Sequence, residues 1–484
     1  MEKTVILVGR EKEKEVLIEA LSTQESEMIA IIGRRRVGKT FLVRATYQDT
    51  IAFEITGLQD ASLKEQLTNF SIQLQAAFGA NATALSRPQN WLEAFHQLTV
   101  CLEKQDKSTP KPVIFLDELP WLASRKSGFL NGLSYFWNSW AVKQNVVVVI
   151  CGSAASWMIQ QVVHHKGGLH NRITRRINLM PFTLYETAQF LESKQVFLDE
   201  YQIIQLYMAM GGIPHYLKEI KNGKSAAQNI QNICFTNTGL LYDEFSKLYT
   251  ALFENAEQHI RIIKALSKKW KGLTRSEIIV ETGFTDGGGL TRLLEELENS
   301  GFIAAFTAFP KKQKDMLFRL TDEYSLFYLQ FMESNKRVED GFWQNLSQTQ
   351  PYKNWTGYAF ENICLKHIPQ IKKALQIAGI YSEAGSFYQK GNTEQKGIQI
   401  DLLIERKDKI INLFELKFYS EPYMMNKKEA TDLRQKVAIF KQLTNTKHQV
   451  FVSILSTFGI ISNEHSVGLI HNELTMSDLF ERKN

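Results

Sequence analysis

The run Gly33-Arg34-Arg35-Arg36-Val37-Gly38-Lys39-Thr40 has the spacing G-x-x-x-x-G-K-[ST] and directly follows the apolar stretch 28–32. Glycines let a backbone turn tightly enough for several N–H groups to point inward at one anion. A helix starting near Lys39 adds the positive end of its dipole at the same place. The loop is therefore expected to cradle the phosphates of ATP along Gly33, Arg34, Arg35, Arg36, Val37 and Gly38. The Lys39 ammonium then reaches the β- and γ-phosphates, and the Thr40 hydroxyl ligates Mg²⁺. Such a loop calls for a second strand ending in an acid, and Val113-Ile114-Phe115-Leu116-Asp117-Glu118 supplies one. Asp117 is expected to hold the metal, directly or through water, and Glu118 to polarise the attacking water. A third strand, 146–150, ends in Cys151-Gly152-Ser153, where the Ser153 hydroxyl is placed to sense a γ-phosphate; the plain alternative is a turn. Further on, Arg172, Arg175 and Arg176 offer either an arginine finger or a solvated basic stretch.

A second constellation lies near the C-terminus. Asp401 sits in the apolar run 398–404, and Glu415 and Lys417 sit in the run 410–418. Alternation places Glu415 and Lys417 on one face of their strand. With a turn centred near Lys407-Asp408, Asp401 falls opposite residue 414 or 415, and a one-residue bulge brings the three polar side chains together. Charges on apolar strands are costly to bury without a partner, and a divalent cation is such a partner. Two carboxylates, Asp401 and Glu415, then hold Mg²⁺ against a phosphate, while Lys417 orients water or stabilises developing charge. Glu361, on a preceding helical segment, completes the set, and Gln435 on the basic helix 427–443 is a further water-positioning candidate. The alternative is an Asp–Lys salt bridge across an exposed hairpin.

Both sets of side chains need frames. The 484 residues suggest about three domains. In the first section short β-branched runs alternate with helix-favouring segments such as 60–78 and 91–104, as a parallel sheet covered on both faces requires. Residues 183–250 read as helical, broken by Gly211-Gly212-Ile213-Pro214. Residues 257–322 give short helices and then β-like runs at 302–306 and 316–320. A helix at 355–367 and the hairpin around Arg406-Lys407-Asp408-Lys409 follow.

The stretch 260–302 reads as a winged helix-turn-helix, with Thr274 capping its second helix. Major-groove recognition is the functional reading. Its third helix, however, carries Glu295, Glu296 and Glu298 beside Arg292, an acidic face that phosphates repel. A structural or regulatory role, packing against the ATPase, is favoured, with the wing loop Lys311-Lys312-Gln313-Lys314 available to backbone phosphates. His164-His165 point apart in any regular element and are read as loop residues, not metal ligands. The aromatic set Tyr135, Phe136, Trp137 and Trp140 is read as core.

At this point a family pattern is visible. Residues 5–250 resemble the prokaryotic ATPases of the STAND branch of the AAA+-related P-loop proteins, often called archaeal-type ATPases. The matching residues are Val8-Gly9-Arg10-Glu11, the loop 33–40, Leu116-Asp117-Glu118-Leu119-Pro120-Trp121, Cys151-Gly152-Ser153, the stretch from Arg172 to Leu179-Met180-Pro181-Phe182, and Gly211-Gly212-Ile213-Pro214-His215-Tyr216-Leu217. The resemblance implies that Gly9, Arg10 and Pro214 lie near the adenine and Arg172 near the γ-phosphate. The relatives usually read Tyr-Gly-Arg where this chain has Leu169-His170-Asn171-Arg172. Residues 350–470 resemble the PD-(D/E)xK nuclease superfamily, with Asp401 as motif acid, Glu415-Leu416-Lys417 as the E-x-K element and Glu361 as helix acid. The usual proline before the motif acid is replaced by Ile400.

The fold class expected is α/β. It comprises a P-loop NTPase core with a parallel sheet (1–182), a helical lid (183–254), a winged helix (255–325), a connector (326–352) and a restriction-endonuclease-like domain (353–484). The function expected is an ATPase whose nucleotide state controls Mg²⁺-dependent cleavage of DNA. The alternative is a nucleotide-dependent signalling or scaffold switch whose C-terminal domain binds a partner or nucleic acid without cutting it. A finger acting across subunits requires a homo-oligomer. Four cysteines in so long a chain do not make a disulfide framework. The run 146–151 is far shorter than the ~20 residues of a membrane span, and the N-terminus lacks a signal-peptide core, so a cytoplasmic setting is expected. The excess of 57 Lys+Arg over 51 Asp+Glu is too small to argue for nucleic acid on its own.

Overall fold

The computed structural model describes residues 7–83, 85–105, 110–124, 126–163, 169, 171–307, 316–335, 341–389 and 397–482. His164-His165 and the basic run 311–314 lie outside the described residues. The chain divides into two compact units, Met1–Pro181 with Ala251–Glu254, and Phe182–Thr250 with Asn255–Asn484.

In the first unit β1 (Glu27–Ile32), β2 (Ile51–Thr56), β3 (Val113–Asp117), β4 (Val147–Gly152) and β5 (Arg175–Asn178) form a parallel sheet ordered β2-β3-β4-β1-β5. Every residue of β1, β3 and β4 is buried. A strand covered on both faces has no wet side, which is why these three read as unbroken apolar runs. β5 carries Arg175 and Arg176 and looks like a basic loop in sequence. At the sheet edge only Ile177 is buried, and Arg175 pairs with Glu19 at 2.8 Å. Edge strands tolerate such charge.

Helices α1 (Glu11–Ser22), α2 (Lys39–Tyr47), α3 (Leu63–Phe78), α4 (Trp91–Glu103) and α5 (Phe129–Ser139) accompany this sheet. An aromatic cluster joins α3, α4 and α5: Trp91 meets Phe129 edge-on at 4.6 Å, and Phe95 stacks on Phe136 at 5.2 Å. Each such buried ring contributes roughly 1.5–3 kcal/mol. Of the aromatic set read as core, Phe136 and Trp137 are buried, but Tyr135 is 60% exposed. Successive residues of a helix are turned by about 100°, so one of three neighbours must face water.

In the second unit α6 (Leu184–Ser193) and α7 (Glu200–Met210) precede a short helix, Pro214–Leu217. Then come α8 (Ala256–Ser267), the two-residue strand β6 (Leu273–Thr274), α9 (Arg275–Thr282) and α10 (Gly288–Asn299), with α9 closed by a Thr274–Glu277 capping box. Antiparallel β7 (Ile303–Thr307) and β8 (Met316–Leu320) complete a sheet ordered β6-β8-β7.

Helix α11 (Gln350–Lys366) leads into a second mixed sheet. Its strands β9 (Ser382–Gln389), β10 (Ile398–Arg406), β11 (Ile410–Lys417), β12 (Gln449–Ser456) and β13 (Asn472–Thr475) lie in the order β13-β12-β11-β10-β9. β9, β10 and β11 are antiparallel; β11, β12 and β13 are parallel. Helix α12 (Lys427–Thr444) packs Ala430, Leu433 and Phe440 against Ile398, Ile400, Leu403, Ile411 and Leu413. Inside β11 sits a polar residue, Asn412, 1% exposed. Its Nδ2 donates to Ser453 Oγ (3.2 Å) and Asn472 Oδ1 (3.1 Å), joining three strands.

Candidate functional site

The loop leaving β1 is held by the end of β5. Leu179 N donates to Ile32 O at 2.7 Å, and a Cβ on Gly33 would lie 2.4 Å from the Leu179 carbonyl oxygen. Glycine is thus required at position 33 by a neighbouring backbone as well as by the turn. Gly38 adopts φ 94° and Arg36 φ 73°, both in the left-handed region, and they set the tight curl before α2. Lys39, 6% exposed, folds back so that Nζ donates to Gly33 O (2.9 Å) and Arg34 O (3.0 Å). Arg34 is likewise buried, while Arg35, Gly38 and Thr40 are partly exposed and Val37 is buried. Gly9 and Arg10 have φ of 67° and 64° at the start of α1, and Arg10 Nη2 donates to Val37 O at 3.4 Å. The Gly9-Arg10 box therefore lies against the loop.

Thr40 Oγ1 donates to Asp117 Oδ2 at 2.7 Å, which joins the loop to the end of β3. Asp117 Oδ1 in turn accepts from the Glu118 amide at 3.0 Å. Glu118 has φ 48°, and its Oε2 accepts from Ser153 Oγ (2.8 Å) and Ser153 N (3.2 Å) at the end of β4. Ser153, expected to sense a phosphate, here positions Glu118. Mg²⁺ takes oxygen ligands and keeps several waters, so a hydroxyl and a carboxylate already 2.7 Å apart are a donor set that fits it.

Arg172 is a different case. It is exposed, its amide donates to Leu169 O at 3.1 Å, and β5 follows it. The register Ile29↔Arg175 sets the beginning of β5 beside the middle of β1, with Arg172 further back still. At ~3.3 Å per strand residue, the level of Gly33 is roughly 13 Å beyond Arg175. The fold does not bring Arg172 to the phosphate loop of its own chain. The expectation of a finger near the γ-phosphate is therefore corrected: Arg172 lies at the wrong end of the sheet for one chain to use it. Pro214 belongs to the second unit, where it opens the short helix after Gly211 (φ 64°).

The C-terminal set is brought together by strand register. Leu402 pairs with Phe414 in a register that has no shift over 402–405, and extended by one residue it sets Asp401 at the level of Glu415. The irregularity falls instead between β10 and β9, at Ile400 and Leu403. This corrects the expected bulge: the turn centres on Asp408, and pairing is direct.

Glu415 Oε1 lies 3.1 Å from Lys417 Nζ, and its Oε2 accepts from Lys436 Nζ at 2.7 Å. Gln399 Nε2 donates to Asp401 Oδ1. Glu361 Oε2 lies 3.5 Å from Arg319 Nη2, an arginine of β8. Burial pushes the Glu361 carboxyl up to about 8, with Asp401 and Glu415 adding to the shift and Arg319 opposing it. Burial also raises Asp401, and the Glu415 charge raises it further. Burial alone raises Glu415 too, but Lys436 and Lys417 outweigh it and leave that carboxyl below its ordinary value. Glu361 responds to the charges of Asp401 and Glu415, and Asp401 to that of Glu415, so the three carboxyls share one electrostatic neighbourhood. A cavity of about 380 Å³ opens beside it, lined among others by Gln399, Glu415, Lys417, Tyr423, Gln435 and Lys436.

Sequence reasoning missed Lys436 and Arg319. The only signal for Lys436 was its i+4 spacing from Asp432 on a helix whose other stripe is apolar. A contact between a helix and a strand twenty residues away leaves no local trace. A larger cavity, about 530 Å³, is lined by Arg44, Phe53, Glu54 and Gln73 and contains no residue of either cluster. Among the described residues no three His, Cys, Asp or Glu side chains are gathered to hold a metal. Among the same residues no helix is long and apolar enough to cross a membrane, and all four cysteines are buried and free.

Residues 7–220 match the profile of a family described as an ATPase domain predominantly from Archaea. This region is similar to an archaeal-type ATPase domain. An uncharacterized protein of Methanocaldococcus jannaschii is 23% identical over 419 residues, 85% of this chain and 88% of that protein. Among solved structures, a Walker-type ATPase of Pyrococcus abyssi aligns with a TM-score of 0.45 at 16% identity, over 67% of this chain and 96% of its own. The Aeropyrum pernix ORC2 protein, in ADPNP–ADP complexes, aligns with a TM-score of 0.42 at 14% identity, over 71% and 96%. The residues that define the ATPase domain's loop, Gly33 to Thr40, and its acidic strand end, Asp117-Glu118, fall inside the matched region.

Proposed function

We propose that the protein is a STAND-type ATPase that binds and hydrolyses ATP with Mg²⁺, and that its nucleotide state controls a nuclease-like C-terminal domain acting on DNA. The observation that supports the first half best is the chain of contacts Lys39–loop carbonyls, Thr40–Asp117 and Glu118–Ser153. Loop amides and Lys39 bind the phosphates, and Thr40 and Asp117 hold the cation, which neutralises charge on the phosphoryl group. Glu118, held by Ser153, accepts the proton of the attacking water.

In the second half, Asp401 and Glu415 would hold a divalent cation, which would supply positive charge to a nucleic-acid phosphate, and Lys417, on Glu415 at 3.1 Å, would add a second positive charge. We read the α8–α9–α10 helices with antiparallel β7 and β8 as a winged helix. In it Glu296 is spent inside, on His259 (2.8 Å) and Arg292 (2.8 Å), which favours a packing role over groove reading.

Helix α11 gives control a physical route. It carries Glu361, and just beyond it Lys366 Nζ bonds Glu323 Oε1 (2.6 Å), whose other oxygen abuts Gly211. His367 Nε2 accepts from Leu184 N at 3.0 Å, and Tyr207 OH donates to Phe182 O at 2.7 Å. The segment that directly follows the ATPase core in the chain is thus tied to the helix bearing a site carboxylate. The test is metal-dependent nicking of plasmid DNA by the full chain with and without ATP. Intact DNA under every Mg²⁺ or Mn²⁺ and nucleotide condition would leave the second reading, a switch that binds without cutting, which the double ion pairing of Glu415 favours.

A further inference from the structure

Past β11 the chain leaves the sheet carrying two tyrosines. Tyr419 is 45% exposed, and its ring lies parallel to that of Tyr423, with centroids 5.6 Å apart and 3° between planes. Tyr423 is buried, lines the cavity that holds Glu415 and Lys417, and has Lys417 Nζ 5.6 Å from its ring centre. Backbone bonds fix both tyrosines. Tyr419 N donates to Thr457 Oγ1 (2.9 Å), Tyr423 N to Gly459 O (2.9 Å) and Ile461 N to Tyr423 O (2.8 Å). The parallel pair therefore exists before any ligand arrives, with Tyr423 buried and Tyr419 45% exposed. Met424, 62% exposed, and Ile461, 49% exposed, add apolar surface in the same segments.

We propose that Tyr419 is a stacking platform for an unpaired nucleobase, so that the substrate class of this site is single-stranded or end-frayed nucleic acid. This rests on the nuclease-like reading of Asp401, Glu415 and Lys417. A base inside a duplex shows a protein only its edges, whereas an unpaired base offers a π-face to an aromatic ring. The adjoining cavity carries both signs, with Lys417 and Lys436 paired to Glu415 and with Glu429 and Asp432 also in its lining, so the positive charge for a phosphate backbone comes from Lys427, Lys428 and Arg434 on the same helix as Lys436. Stacking accepts every base, so the preference is for strandedness and not for sequence.

The test is fluorescence anisotropy on the full chain in Ca²⁺, with a labelled mixed-sequence single strand and with that strand annealed to its complement. The single strand is expected to bind about ten-fold more tightly. Tyr419→Ala should remove that margin and leave duplex affinity unchanged, while Tyr419→Trp should keep it. Equal affinity for both forms, or single-strand binding by Tyr419→Ala within about twofold of the parent, overturns the proposal. Nicking by the parent chain and by Lys417→Ala separates the two readings. A Tyr419-dependent strand preference without Lys417-dependent cutting leaves the platform standing and sinks cleavage. Lys417-dependent cutting that ignores strandedness and Tyr419 does the reverse.

Discussion

The two charged clusters handle their ions in opposite ways. In the ATPase domain Lys39 lies on backbone carbonyls and Asp117 on a hydroxyl, so cation and anion are each held by neutral groups. In the C-terminal cluster the cations lie directly on the anions: Lys417 and Lys436 on Glu415, Arg319 on Glu361. Neutral partners exchange for a ligand at small cost, whereas a partly buried ion pair gives up Coulomb energy when it opens. The first cluster is arranged to receive a ligand that brings its own charge. The second is already neutralised and must be opened by a cation or a phosphate.

The largest effect tests the first side of that contrast. Lys39→Ala removes the ammonium from the loop, and calorimetry with Mg²⁺-ATP is expected to show no binding heat. On the other side, Lys417→Ala is expected to eliminate Mg²⁺- or Mn²⁺-dependent nicking while ATP turnover stays within about twofold; equal loss of both activities would mean the clusters are one functional unit. Glu118→Gln keeps size and the possibility of a bond to Ser153 but cannot take up a proton. Phosphate release should fall about 100-fold with nucleotide affinity little changed. The smallest effect is expected at Lys436. Lys436→Ala takes one of two cations off Glu415, so Mn²⁺ titrated in the absence of nucleic acid should bind several-fold more tightly. Unchanged or weaker binding would show that Lys436 does not compete with the metal.

The first cluster was legible because eight consecutive residues state it, and because β1, β3 and β4 are apolar throughout. β5 was not legible: an edge strand with two arginines carries no apolar run, and without it Arg172 has no position. Of the second cluster, Asp401, Glu415 and Lys417 followed from alternation and the turn. The site of the bulge did not, since it depends on β9, whose sequence Ser382–Gln389 has no strong strand signal. Lys436 and Arg319 reach the cluster from a helix and from another sheet, and such meetings are decided by packing.

Asn412 gives the C-terminal sheet a keyed lock. Around it the strands are oily and alike, and oil alone does not fix how far one strand slides along another. A slide of one residue would strand the amides and hydroxyl of Asn412, Ser453 and Asn472 in a dry layer, a loss of several interlocked bonds at once. It would also turn Glu415 to the back of the sheet. A leucine in place of Asn412 would therefore leave the layer just as dry while freeing it to settle in a second alignment, in which the acid and its lysine face the wrong way.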